Sequence, residues 1–221
     1  WDSRSIWLFN SKRIFFNNNL DEYAKYFYAR NIDYPIAIQT LSASLAKLIG
    51  GWNEIFPKFS SIIISLPALL TISSITKNKL DKLLLIILIL FIYEKKLING
   101  DMDSILSLYA VSSSILLINF ANKEKNLFKD YYSLFLNLTM VTLIKIEGLG
   151  LFFCIIISFM LVFYNYKNPK FNKILIVFMI SLIPIILWRF YIYDQNVISS
   201  SYLMLSNGER FFKNLTDFKF L

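Results

Sequence analysis

The chain has 221 residues, 56% hydrophobic and 17% charged, with a formal net charge of +8. A mean hydropathy of +0.52 lies well away from the balance of a water-soluble domain and points to an all-helical, multi-pass membrane protein. The positive charge does not indicate nucleic acid, because the lysines sit in short loops between apolar runs and not on one polar face.

In chain order, the first thirty-five residues form the longest charged and aromatic run that does not span. Ile6-Trp7-Leu8-Phe9 and Ile14-Phe15-Phe16 flank Asn10-Ser11-Lys12-Arg13, a pattern too interrupted by charge to cross a bilayer. It suits a helix lying in the membrane interface, ended by Asn17-Asn18-Asn19. Residues 21–30 are polar and tyrosine-rich. Asp33-Tyr34-Pro35 then sets up a second helix, since proline fits a first helical turn and an acid just before it caps free amides. Ile38, Leu41, Leu45 and Leu48 follow at helical spacing, with Gln39, Thr40, Ser44 and Lys47 expected on other faces. At about 14 residues this segment is too short for a crossing, and it reads as interfacial or tucked between spans until Gly50-Gly51 breaks it.

Six candidate spans come next: Glu54–Ile75, Leu80–Tyr93, Ile105–Ala121, Tyr131–Ile146, Leu149–Tyr164 and Ile174–Ile192. Several are short, so they borrow flanking polar residues or tilt little. The loops set orientation. Lys77, Lys79 and Lys82, then Lys123, Lys125 and Lys129, then Lys167, Lys170 and Lys173 alternate with mixed or acidic connections holding Glu94, Lys95, Lys96, Asp101 and Asp103, and then Lys145 and Glu147. The basic set belongs in the cytoplasm, which leaves Asp2, Asp33, Asp101, Asp103, Glu147 and the tail after Tyr193 on the outer side. The expected division is an outer loop with interfacial helices over 1–53, a six-span bundle over 54–192, and the start of an outer segment over 193–221. Trp1 at the start and Phe220-Leu221 at the finish read as the ends of a piece of a longer protein, with at least one span expected upstream.

Histidine is absent and Cys154 is the single cysteine, which removes His-dependent triads, His/Cys zinc sites and any internal disulfide. Chemistry must rest on carboxylates, Lys, Arg, Tyr, or a hard metal held by oxygen. Cys154 reads as a small core residue. Outward-facing acids and bases above a helical bundle suit two tasks: binding a lipid-linked phosphate while a carboxylate deprotonates an acceptor hydroxyl, or lining a path for ions and polar solutes. Charge placement leaves both open.

Trp1-Asp2-Ser3-Arg4-Ser5-Ile6-Trp7 followed by Lys12, then Asp33-Tyr34-Pro35, Gly51-Trp52-Asn53-Glu54, Asn99-Gly100-Asp101-Met102-Asp103 and Lys145-Ile146-Glu147-Gly148 resemble the GT-C class of membrane glycosyltransferases. The likeness is to bacterial members that take sugars from polyprenyl-phosphate carriers, related to the protein mannosyltransferase and aminoarabinose transferase group. The resemblance implies a sugar donor linked to a lipid phosphate, a glycan, lipid or protein acceptor, and an active site on the outer face of the bacterial inner membrane. By resemblance Asp2 holds the position of the essential acid of the first outer loop, as the base that activates the acceptor; its other reading is a helix cap before Ser3-Arg4-Ser5. Asp33, Asp101 and Asp103 each have a turn or capping reading beside a functional one.

Lys145 stands where similar enzymes carry a lysine for the carrier phosphate, and snorkelling is its other reading. Lys145 and Glu147 are two apart, a spacing that does not pair residues on a helix. Arg4, Lys12 and Arg189 are further phosphate candidates, with contacts to ordinary headgroups as the alternative. Members of the class differ over a divalent cation, and nothing here fixes a metal site. The adjacent double acid of the protein mannosyltransferases is missing, since Ser3 follows Asp2. A transporter or lipid-carrier flippase is the alternative from another class, and it calls for ionisable residues mid-span, which Leu83–Ile92 and Ile155–Phe163 lack. An O-antigen ligase or polymerase is the third reading, and it calls for a large late outer loop.

Overall fold

The computed structural model describes residues 7–17, 34–53, 55–122, 127–165 and 171–194; Asp2, Arg4, Asp33 and the tail from 195 onward lie outside them. Among the described residues every regular element is a helix: α1 (Leu8–Asn17), α2 (Ala37–Ile49), α3 (Phe56–Ser73), α4 (Lys79–Ile98), α5 (Met102–Asn122), α6 (Phe128–Ile144), α7 (Gly148–Asn165), α8 (Phe171–Ser181) and α9 (Ile183–Asp194). Local chemistry sets most of the boundaries. Gly50 ends α2 at φ 84°, and the amides of Gly50 and Gly51 return to the carbonyls of Lys47 and Ala46, a left-handed stop that glycine adopts without a Cβ penalty. Gly100, at φ 70°, does the same after α4, which lets the chain turn straight into α5. Asn78 opens α4 by accepting a hydrogen bond from the Leu80 amide at 3.2 Å, and the Asp130 carboxylate accepts from the Leu127 amide at 2.9 Å at the start of α6.

Helix α2 begins later than Asp33-Tyr34-Pro35 suggests. Its N-cap is Ile36, with no side-chain cap, so Pro35 precedes the helix. Gln39, expected on a polar face, is fully buried, because α2 is covered by both α1 and α3 and has little free polar face. Ring contacts of Trp7 with Tyr34 (5.6 Å) and of Phe15 with Trp52 (5.8 Å) show that α1 and α2 run side by side in the same direction.

The bundle is organised about α5 and α6. Helix α6 touches α5, α7, α8 and α9, while α5 also packs on α3. Short connections make α4, α5 and α6 successively antiparallel, as the Tyr93–Ser107 contact (3.4 Å) across the α4–α5 turn and the Ser112–Asn137 bond (2.5 Å) between α5 and α6 require. The core is apolar and aromatic: Phe152 meets Phe178, and Phe159 stacks on Phe171. Pro67 leaves the Ile63 carbonyl without its helical donor, and beside it the Tyr109 hydroxyl donates to the Ile64 carbonyl at 2.6 Å, tying α5 to α3. Between α8 and α9, Pro184 interrupts an otherwise continuous run; the Leu182 amide instead reaches the Met179 carbonyl at 3.3 Å.

Each of the six stretches read as spans contains helix, yet two pass on length and composition as able to cross a membrane: Met102–Phe120 and the near-continuous Phe171–Asp194. The apolar parts of α3 and α7, Phe59–Ser73 and Gly148–Leu161, are shorter, α6 is 17 residues long, and α4 carries charges in its first and last turns. Large apolar side chains stand exposed on α3, α4, α7, α8 and α9, from Ile63 and Leu70 to Ile157, Met179 and Leu187. Cys154, expected in the core, is exposed, because α7 turns Phe152, Ile155 and Phe159 inward and position 154 falls off that stripe.

Gly148 opens α7 where the chain crosses closest to α6. A Cβ there collides with the Val141 carbonyl and crowds Leu106 at 3.2 Å. Gly148→Ala therefore forces a backbone shift and is expected to cost about 1–3 kcal/mol, read as a lower midpoint of thermal unfolding in detergent, whereas Gly150→Ala, in open space, does not lower it.

Candidate functional site

One end of the bundle gathers the α4–α5 turn, the α6–α7 turn and the approach to α2. Helix α6 stops at Lys145, whose backbone is extended at φ −156°, ψ 154°, and α7 restarts at Gly148. In that gap Lys145 is freed from helical geometry, and its ammonium reaches Asp103 Oδ1 at 3.0 Å and Glu147 Oε1 at 3.7 Å. Helical spacing does not imply a Lys145–Glu147 pair, yet the two meet because they stand in a turn, where the i,i+2 rule for helices does not apply. Glu147 Oε1 also accepts a hydrogen bond from the Tyr34 hydroxyl at 3.0 Å, which ties the approach to α2 to the α6–α7 turn. Tyr34 is itself buried against Trp7.

Asp101 does capping work. Its Oδ1 accepts from the Asp103 amide and its Oδ2 from the Ser104 hydroxyl, both at 3.2 Å, which satisfies free groups in the first turn of α5. Asp103, Lys145 and Glu147 are thus brought together, with Asp101 one turn away. Lys12 is exposed on α1 and Arg189 is half-buried on α9, outside the pairs just given. Asp2, Asp33 and Arg4 lie outside the described residues.

The cluster is half in water. The Lys145 side chain is 17% exposed, against 64% for Asp103 and 56% for Glu147, so screening limits each pair to roughly 0.2–1 kcal/mol. What the arrangement offers chemically is one ammonium held at a fixed place among carboxylates, with a tyrosine hydroxyl oriented by one of them.

Next to this cluster runs an apolar cavity of about 340 Å³ lined by Pro35, Ile36, Ala37, Leu143, Pro184, Leu187, Trp188 and Tyr191. It adjoins the charged group through the chain itself, since Pro35 follows Tyr34 and Leu143 lies two residues before Lys145. Trp188 and Tyr191 stack on its wall at 5.5 Å. Sequence reasoning passed over Tyr34, Trp188 and Tyr191 as site residues. The Asp33-Tyr34-Pro35 turn flagged the first; nothing in the spacing of the other two sets them apart from ordinary apolar helix positions.

A double-mutant cycle on Asp103→Asn and Lys145→Gln, followed by unfolding in detergent, is expected to give a coupling below about 1 kcal/mol; several kcal/mol would mean that water is excluded from the pair. Comparison with protein-family models, with curated proteins and with solved structures gives no match.

Proposed function

We propose that the chain is a multi-pass membrane protein that transfers a sugar from a polyprenyl-phosphate carrier to an acceptor hydroxyl on the outer face of a bacterial inner membrane. The observation that carries this reading is the convergence of Tyr34, Asp103, Lys145 and Glu147, residues from three distant parts of the sequence, beside an apolar cavity. The exposed apolar side chains on all nine described helices support the membrane setting. Asp2 lies five positions before Trp7, and Trp7 packs on Tyr34, so the acid singled out by resemblance leads directly into the segment that meets the cluster.

In this reaction the bond from the anomeric carbon to the phosphate oxygen breaks and a bond from that carbon to the acceptor oxygen forms. The acceptor proton passes to a carboxylate, for which Asp2 is the candidate. The departing phosphate gains charge that a fixed cation stabilises. Lys145 is such a cation, held by Asp103 and Glu147, with Arg4, Lys12 and Arg189 as further cations from the sequence and Asp33 as a second acid. Because Lys145 already has carboxylate neighbours, a phosphate must share it with them, which leaves the arginines a substantial part of that task.

The cross-helix hydrogen bonds of the bundle give no support to a transport path. Ser112 donates to Asn137, the Asn137 amide donates to the Ser133 carbonyl, and Ser42 bonds Ser60. These are helix-to-helix and helix-internal bonds of the kind that hold membrane bundles together.

Membranes carrying the protein, given polyprenyl phosphate loaded with radiolabelled hexose or pentose, are expected to release polyprenyl phosphate. Asp2→Asn abolishes that release while membrane insertion is retained. Full activity in the inserted Asp2→Asn protein removes Asp2 from the mechanism.

A further inference from the structure

Helix α4 stands at the rim of the bundle, where it packs against α3 and α5. Leu80, Leu83, Leu84, Ile87, Leu88, Phe91 and Ile92 are all more than half exposed. At about 100° per residue these positions sweep roughly half the helix circumference, wider than the ~100° stripe that one packed helix covers. The face is bounded by charge. Lys77 and Lys79 are exposed and Lys82 half-buried at its start, with Lys129 exposed at the beginning of α6 on the same end, while Glu94, Lys95 and Lys96 close it at the other. The stretch without charge, Leu83 to Tyr93, is about 16 Å long, against a hydrocarbon thickness of about 30 Å. Centred in that slab, the stretch leaves the Lys82 backbone roughly 6 Å inside the hydrocarbon boundary and Lys79 close to it, so Lys82 reaches headgroup depth by extending its stem along the apolar chains.

We propose that this face of α4 is covered by phospholipid with anionic headgroups, selected by Lys77, Lys79 and Lys82. The proposal rests on the membrane reading above and goes beyond it by naming the lipid. A second copy of the chain fits less well, because parallel pairing along α4 sets the lysine trios side by side, and the exposed arc is too wide for one partner helix. Three lysines near headgroup depth each favour an anionic over a neutral surface by about fivefold at low salt. The lone Asp81 among them offsets one lysine.

The test uses the full chain reconstituted in phosphatidylcholine vesicles containing trace spin-labelled lipids, with electron paramagnetic resonance reporting the motionally restricted fraction. Spin-labelled phosphatidylglycerol is expected to associate on the order of tenfold more strongly than spin-labelled phosphatidylcholine at low salt, with the preference falling in high salt. Lys77→Gln/Lys79→Gln/Lys82→Gln should remove most of that preference while leaving insertion and helix content unchanged. Equal association of the two lipids with the inserted wild-type protein overturns the proposal, as does a preference untouched in the inserted triple variant. Disulfide dimers formed in the bilayer through Leu88→Cys, in a Cys154→Ser background, also overturn it by giving the face to a second copy. Failure of the wild type to insert into any vesicle overturns the membrane reading itself, a result distinct from insertion without lipid preference.

Discussion

The packing of α5 against α6 is the constraint on which the rest of the structure depends. These two helices present serines, threonines and an asparagine to one another in a setting where water is excluded, and an unpaired polar group there costs far more than it does at a surface. The Ser112–Asn137 bond and the return of the Asn137 amide to its own helix satisfy those two residues, while the buried hydroxyls of Ser113 and Thr139 find no partner. The start of α7 lies so close to the Val141 carbonyl of α6 that Gly148 has no room for a side chain. Once α5, α6 and α7 are placed, the turns on either side of Lys145 and Asp101 have one place to go. The pairing of Lys145 with Asp103 is therefore a consequence of helix packing, and it contributes little to holding the helices together.

That order of cause and effect matters for function. A weak, half-hydrated ion pair makes a poor structural staple, yet it fixes the ammonium within a small region at the end of the bundle. Tyr34 adds a second tie through Glu147, and its position against Trp7 anchors the opening segment to the same turn. The apolar cavity between the start of α2, the end of α6 and α9 places a greasy surface beside these polar groups. An amphiphile with a polar head fits such a junction on chemical grounds, which is why the lipid-linked donor remains the preferred proposal.

The placement of the helices was legible because charged residues and glycines punctuate this sequence at the points where the chain turns. Gly50 acts locally, through its own backbone, and is read as a stop from the sequence; Asn78, Gly100 and Asp130 act as locally, although they are not singled out as boundaries above. What could not be read depends on neighbours. Gln39 is buried because α1 lies over α2, and Cys154 is exposed because of which side of α7 meets α6 and α8; neither fact is written in the residues nearby. The Lys145–Glu147 contact was missed because the helix was assumed to run through Lys145, where the chain is extended. Two of the six expected spans meet the length and composition of a crossing. Among the other four, α4 carries charge in its first and last turns and α6 stops at Ile144, whereas α7 covers the whole of Leu149–Tyr164. Asp2, Arg4 and Asp33, the residues on which the resemblance leans most, lie outside the described residues.

The claim that organises this account is that the Lys145 cluster and the lysine-bearing turns lie on opposite sides of a membrane. Cysteine accessibility tests it most directly, with Asn99→Cys and Lys77→Cys introduced singly into a Cys154→Ser chain expressed in bacteria. A membrane-impermeant maleimide is expected to label Asn99→Cys in intact cells and Lys77→Cys only after permeabilisation. Identical behaviour of the two positions, or the reverse pattern, would contradict the account.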